Sequence, residues 1–267
     1  MFNQFIDKRT RTLNIDDEVF NILNGLQIEG FIKNSNHKAF AFAYWWLVNY
    51  LWKYAKYGND EITIGHIKEV LGYNCKYKPV DYIVKREGLL DNIGWTEYST
   101  DYPIAYSYSK NNGIEYTMLY EIDDYKDFKA SRNKNYYVKK PLHAEKRIRK
   151  LKNGEFIELE GTIYSKDSTI SFTFNEFDIC ISNSRLGCSG FWLYSWLKYK
   201  SIMSKSTVKC TYSYMIKEVG FKEDKLRELL GELENVGLIK IYRELKVNDG
   251  KFNTVNSYRI LNLDYIN

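Results

Sequence analysis

Residues 211–237 read TYSYMIKEVGFKEDKLRELLGELENVG and run directly into Leu238-Ile239-Lys240-Ile241. The stretch predicts a short helix, a turn at Gly220 and a longer amphipathic helix. In the longer helix Leu226, Leu229, Leu230, Leu233 and Val236 recur at helical spacing and mark one apolar face. Gly237 is a stop signal, and an apolar strand follows it. That strand meets Asn248-Asp249-Gly250, a hairpin turn signal, and returns over residues 254–261.

Helix, turn, helix and two-stranded wing is the order of a winged helix-turn-helix, and the chain carries it twice. Ile67-Lys68-Glu69-Val70 recurs as Ile216-Lys217-Glu218-Val219, and Gly88-Leu89-Leu90 as Gly237-Leu238-Ile239, both at an offset of 149. Ile32 and Asn34-Ser35 return as Ile181 and Asn183-Ser184 at the same offset, while Trp46-Leu47 matches Trp192-Leu193 at 146. A tandem duplication accounts for all of these together.

The fold class expected is α+β: two tandem winged helix-turn-helix domains joined by a basic linker and a β-hairpin. Four segments follow: an N-terminal extension (1–30), a first winged helix (31–128), the linker and hairpin (129–175) and a second winged helix (176–267). A chain of 267 residues, 44% hydrophobic, can bury two modest cores. The opening MFNQFIDKRTRTL carries no apolar run of signal-peptide type. The most apolar window, residues 39–52, is too short to span a bilayer. A cytoplasmic protein without membrane contact is expected. Cys75, Cys180, Cys188 and Cys210 form no C-x-x-C pair, and His37, His66 and His143 are not clustered with them. Buried, reduced thiols are the simplest reading, with no metal and no cofactor.

Within these segments, residues 15–26 predict a helix opened by Asp16, Asp17 and Glu18, whose carboxylates suit the helix dipole. Residues 38–57 carry the long first helix, with Ala43, Trp46, Leu47, Tyr50, Leu51 and Tyr54 as one apolar stripe. Residues 61–64 read as a short strand, 65–71 and 80–87 as the paired helices, and 91–98 as extended chain. Residues 102–109 and 114–122 form the first wing around Asn111-Asn112-Gly113. Residues 155–159 and 169–174 read as a hairpin ahead of the second copy.

Between the copies, residues 129–152 hold ten cations against Glu145 alone, a net +9 on a chain of net +5. Arg147, Arg149 and Lys150 are expected on a short helix after Pro141. Tyr136 and Tyr137 lie among the charges, where they could pack on sugar or base while the cations attract phosphate. A solvated linker is the plainer alternative, but such a concentration between two DNA-binding folds favours nucleic acid.

In a winged helix the second helix of the pair enters the major groove, and the wing rests on phosphate. The first copy offers Lys76, Lys78, Tyr82, Lys85 and Arg86, net +2 once Asp81 and Glu87 are included. The second offers Lys222, Lys225 and Arg227, cancelled by Glu223, Asp224 and Glu228. Lys110, Lys246 and Lys251 flank the wing turns. Arg132, Lys134, Lys139, Lys140, Lys146, Arg147, Arg149 and Lys150 complete the expected DNA-binding set. A neutral helix brings little counterion-release attraction, so the second copy could instead dimerise or dock a partner.

Residues 190–245, from GFWLYSWLKYKS to LIKIYREL, resemble the winged-helix domain of plasmid replication initiators and phage replisome organisers. The shared signature is Leu233-Glu234-Asn235-Val236-Gly237-Leu238-Ile239. The resemblance implies a non-enzymatic, sequence-specific binder of double-stranded DNA. Such a protein would initiate or organise replication, form a homodimer through one domain and work with replication machinery. A transcriptional repressor and a protein-interaction adaptor are the alternatives. The chain lacks a G-x-x-x-x-G-K-[ST] loop, a G-x-S-x-G elbow and the paired histidines of one class of nicking enzyme.

Overall fold

The structure, a computed structural model, describes residues 12–109, 113–130, 132–133, 135–142, 146–150, 156–160, 169–204, 207–248 and 251–261. The chain opens with β1 (Thr12–Asp16), α1 (Glu18–Ile28), α2 (Ser35–Lys53), α3 (Ile64–Val70), α4 (Asp81–Val84) and α5 (Leu89–Asn92). Then come β2 (Thr96–Ser99), β3 (Pro103–Ser109), β4 (Gly113–Met118), α6 (Tyr125–Ala130), β5 (Val138–Pro141), β6 (Lys146–Lys150) and β7 (Phe156–Glu160). The rest is β8 (Thr169–Thr173), α7 (Phe174–Ser182), α8 (Gly187–Met203), β9 (Val208–Cys210), α9 (Tyr212–Val219), α10 (Glu223–Asn235), β10 (Ile239–Asn248) and β11 (Lys251–Ile260).

The fold is mixed α+β with small sheets. Among the described residues no helix is long and apolar enough to cross a membrane. The chain forms two compact units, Met1–Asp16 with Ala43–Ser171, and Asp17–Phe42 with Phe172–Asn267. These interleave, whereas the sequence reading cuts the chain into four consecutive segments.

In the second unit α8 is the central rod: Phe191, Trp192, Leu193, Tyr194, Trp196 and Leu197 are all buried. Phe20 of α1 stacks on Tyr199 at 4.9 Å and lies 5.4 Å from Trp192. The Thr211 hydroxyl caps α9 by accepting from the Tyr214 N–H at 3.2 Å. Gly220 then takes φ +82°, a conformation that glycine adopts without steric cost. In α10 Leu226, Leu229, Leu230 and Leu233 are buried, as the periodicity predicts, and Val236 is half-buried. Left-handed Gly237 ends that helix, with the Leu238 N–H bonded to the Leu233 carbonyl at 3.0 Å. β10 and β11 pair in antiparallel register, and β11 also pairs with β9, a strand the sequence did not announce.

The turn at Gly220 is held from outside its own helices. The Ser35 hydroxyl donates to the Gly220 carbonyl and accepts from the Gln27 amide at 3.1 Å. A Cβ on Gly220 would sit 2.8 Å from Ser35 Oγ. Next to it the buried Lys38 donates to Asn24 Oδ1 at 2.7 Å and lies 5.2 Å over the Trp192 ring. Burial pulls the Lys38 ammonium down to about 8, against the opposing charge of Glu218.

The first unit repeats these devices in a shifted register. Thr63 caps α3 by accepting from the His66 N–H at 3.2 Å, and Gly72 takes φ +81°. Matching the caps aligns Thr63 with Thr211 and Gly72 with Gly220, and buried Ile67 with Met215 and Leu71 with Val219. That offset is 148, so the Ile-Lys-Glu-Val match is out of step by one residue: Lys68 is buried, but Lys217 is exposed. Further on, left-handed Gly94 precedes Trp95, whose N–H bonds the Leu90 carbonyl at 2.9 Å. Trp95 accepts from the Leu142 N–H at 3.1 Å just as Leu238 accepts from Leu261 at 3.0 Å. The pair β2–β5 therefore stands where β10–β11 stands in the second unit. The hairpin β3–β4, read from sequence as the first wing, belongs to an insertion between those strands.

Four local expectations fail for identifiable reasons. The helix expected over 80–87 is only the four residues of α4, and Glu87 turns left-handed at φ +58°. Val80, Ile83 and Val84 gain burial but hold a helix weakly. The Asp91 carboxylate also captures the Glu87 N–H at 3.0 Å, and the chain bends there. The strand expected over 61–64 is absent, because the Tyr136 hydroxyl takes the Ile62 N–H at 2.9 Å in place of a neighbouring strand. Arg147, Arg149 and Lys150 lie on β6, not on a helix, with Lys146 opposite Glu160 of β7. The hairpin expected between 155–159 and 169–174 does not form, since β7 pairs with β6 and β8 with β1.

Gly220→Ala should cost at least about 1 kcal/mol in chemical unfolding through its backbone angle, plus the clash with Ser35. Gly72→Ala, with open space around it, should cost only the first part. Lys38 gives a pH test. Its folded value of about 8 lies below the usual lysine range, so the unfolded chain binds that proton more tightly. Stability from this site therefore rises as pH climbs from about 8 toward the ordinary lysine value, and Lys38→Met should remove that rise from melting curves.

Candidate nucleic-acid interface

Of the residues expected to touch DNA, the clearest group is in the first unit between α3 and α4. Lys76 and Lys78 are exposed on the loop that follows Gly72, and neither makes an ion pair among the described residues. The loop is shaped by Asn74, whose side chain accepts from the Lys76 N–H at 2.9 Å and whose carbonyl accepts from Tyr77 at 2.9 Å. Tyr73 and Tyr77 stand with ring centroids 5.4 Å apart, and Tyr77 is exposed. The sequence reading missed both tyrosines, although their alternation with lysines in Tyr73-Asn74-Cys75-Lys76-Tyr77-Lys78 was the available signal.

Lys68 ties this loop to α4. Its buried ammonium donates to the Tyr77 carbonyl at 2.9 Å and to Asp81. Lys85 meets the same carboxylate at 2.9 Å. Burial would raise Asp81, but hydrogen bonds from Lys68 and Lys85 outweigh it and hold the carboxyl below its usual range. Tyr82 is half-buried, and Arg86 is exposed without an ion pair among the described residues.

The basic segment is a different matter, because much of it is structural. Lys139 is buried and bonds Asp91 through both carboxylate oxygens, at 2.6 and 2.7 Å. It also reaches the Lys85 carbonyl at 3.2 Å and lies 4.2 Å over the Tyr98 ring. Burial lowers its ammonium below the usual lysine range, with Asp91 opposing. Lys139 is therefore no phosphate ligand. Lys140 is half-buried and 3.7 Å from Glu97. Arg132 donates to the carbonyls of Gly58 and Asp60 and lies over Tyr136 and Tyr102. Tyr136, expected to stack on base or sugar, is buried with its hydroxyl on Ile62. Lys110 and Lys134 fall outside the described residues, as do the side chains of Lys146, Arg147, Arg149, Lys150, Lys246 and Lys251.

In the second unit α10 neutralises itself. Arg227 binds Glu223 at 2.5 Å and stacks 4.3 Å from the Tyr212 ring, and Lys225 binds Glu228 at 3.2 Å. Lys222 is exposed just before the helix. None of the cysteines forms a disulfide: Cys180, Cys188 and Cys210 are buried, and Cys75 is half-buried. Among the described residues no cluster of His, Cys, Asp and Glu could hold a metal ion. No known family, characterised protein or solved structure matches the chain.

Asp91→Asn should leave the Lys139 ammonium buried without its counter-charge and cost about 3 kcal/mol, read as a lowered urea midpoint. Asp91→Asn combined with Lys139→Met, which removes both charges and keeps the volumes, should cost much less.

Proposed function

We propose that the chain binds double-stranded DNA through two winged-helix modules and initiates or organises replication of a plasmid or phage. The observation that carries this reading is the order α8, β9, α9, Gly220, α10, β10, β11, closed by β11 returning between β10 and β9. A helix pair followed by a β-ribbon is the combination that, in winged helices, reads a groove and grips the flanking backbone. The recurrence of cap, left-handed glycine and strand pair in the first unit supports a second module of the same descent. Lys76, Lys78 and Arg86, exposed around a loop with Tyr77, supply positive charge and an aromatic surface to that module. A homodimer and components of a replication machinery are the partners this reading names.

A protein-docking adaptor is the second reading, and the self-neutralised α10 favours it. Cations already bound to neighbouring glutamates bring little of the counterion release that drives phosphate binding. Regulation of transcription uses the same contacts at a different place in the genome. Iterated direct repeats beside the protein's own gene favour an origin, and an inverted repeat over a promoter favours repression.

Duplex affinity measured across a salt series separates these readings. DNA binding is expected to weaken steeply, by a log–log slope of roughly −0.9 per phosphate contacted. Lys76→Ala combined with Lys78→Ala should weaken every duplex alike and flatten that slope by about 2. Affinity that ignores salt would leave the adaptor reading in place.

A further inference from the structure

The three-stranded sheet of the second unit has two faces of opposite character. Val208, Cys210, Ile239, Ile241 and Tyr258 alternate onto one face and are buried. On the other, Lys240 stands directly across from Arg259, and Tyr242, Ser257 and Lys209 form a row across all three strands. Lys209, Lys240, Arg259 and Tyr242 are exposed. None of these three cations forms an ion pair among the described residues. Ser257, in the middle of the row, is 4% exposed, and its hydroxyl has no hydrogen-bond partner among the described residues.

Like charges placed directly opposite in an antiparallel pair repel each other. Keeping Lys240 across from Arg259 therefore works against the fold unless an anion lies over them. Strand spacing sets the three cations within roughly 12 Å of one another. A duplex presents one negative charge per roughly 1.7 Å of its axis, so a patch of that span meets several phosphates at once. On α10, by contrast, Arg227 and Lys225 are already held by glutamates.

We propose that this sheet face, rather than α10, is the surface by which the second unit grips duplex DNA, an assignment that rests on the DNA-binding reading above. Lys209, Lys240 and Arg259 neutralise phosphates, and Tyr242 packs against sugar. The sequence reading passed over these residues because Lys209 lies on an unforeseen strand and Lys240 and Arg259 lie far from the hairpin tip.

The test uses the full chain and an end-labelled duplex of mixed sequence, with affinity measured across a salt series. Lys209→Gln, Lys240→Gln and Arg259→Gln together should weaken binding at least tenfold or so and flatten the salt slope by about 2.7. Lys225→Gln with Arg227→Gln should change neither. The single Lys240→Gln separates binding from folding: it relieves the like-charge pair, so melting temperature should rise while the slope flattens by about 0.9. If the unaltered protein shows no salt-dependent binding, the DNA reading itself falls. If it binds, and the sheet variants match it while the α10 variant loses affinity, only the sheet assignment is overturned.

Discussion

A buried ammonium needs a counter-charge within reach, and in the first unit that requirement organises both the backbone and the apparent basic linker. Lys139 and Asp91 meet across 48 positions of sequence. Asp91 uses its second oxygen to hold the Glu87 N–H, and Lys139 takes the Lys85 carbonyl. One ion pair thereby ties residues 85, 87 and 91 to residue 139. The helix that periodicity places over 80–87 has no room to continue through that junction. The same pair draws β5 onto β2 and removes from solvent one of the cations that make the central segment look like a polyelectrolyte.

The second unit shows a quieter version of the same logic, with a neutral carbonyl in place of a charge. A side chain at Gly220 is disfavoured by its left-handed backbone and by Ser35 Oγ, Gln27 Oε1 and Lys38 Nζ, which lie where one would start. The turn between α9 and α10 is therefore clamped by side chains from far upstream.

What could be read from the chain divides along the range of the interactions. Local signals succeeded: Thr211, Gly220, Gly237 and the leucines of α10 each act through neighbours within a few residues. Similar devices do recur in the two units, although the Ile-Lys-Glu-Val match sits one residue away from the equivalence set by the caps. Identity of letters and identity of environment had drifted apart there, as buried Lys68 and exposed Lys217 show. The partners that decided the rest were remote: Tyr136 with Ile62, Lys139 with Asp91, and β6 with β7. Of the candidate site, the cations at 76, 78 and 86 are exposed as expected, on either side of the buried Val80, Ile83 and Val84. Arg132 and Lys139 were misread because a cation's role depends on the acid, carbonyl or ring it meets.

Helix α2 adds a consequence for where the chain can be cut. Its first turns, with α1, are counted in the second compact unit, and its remainder in the first. Phe20 fills a space against Trp192 and Tyr199 that the second repeat alone cannot fill. A second unit expressed without α1 would lose the Phe20 ring from this aromatic core.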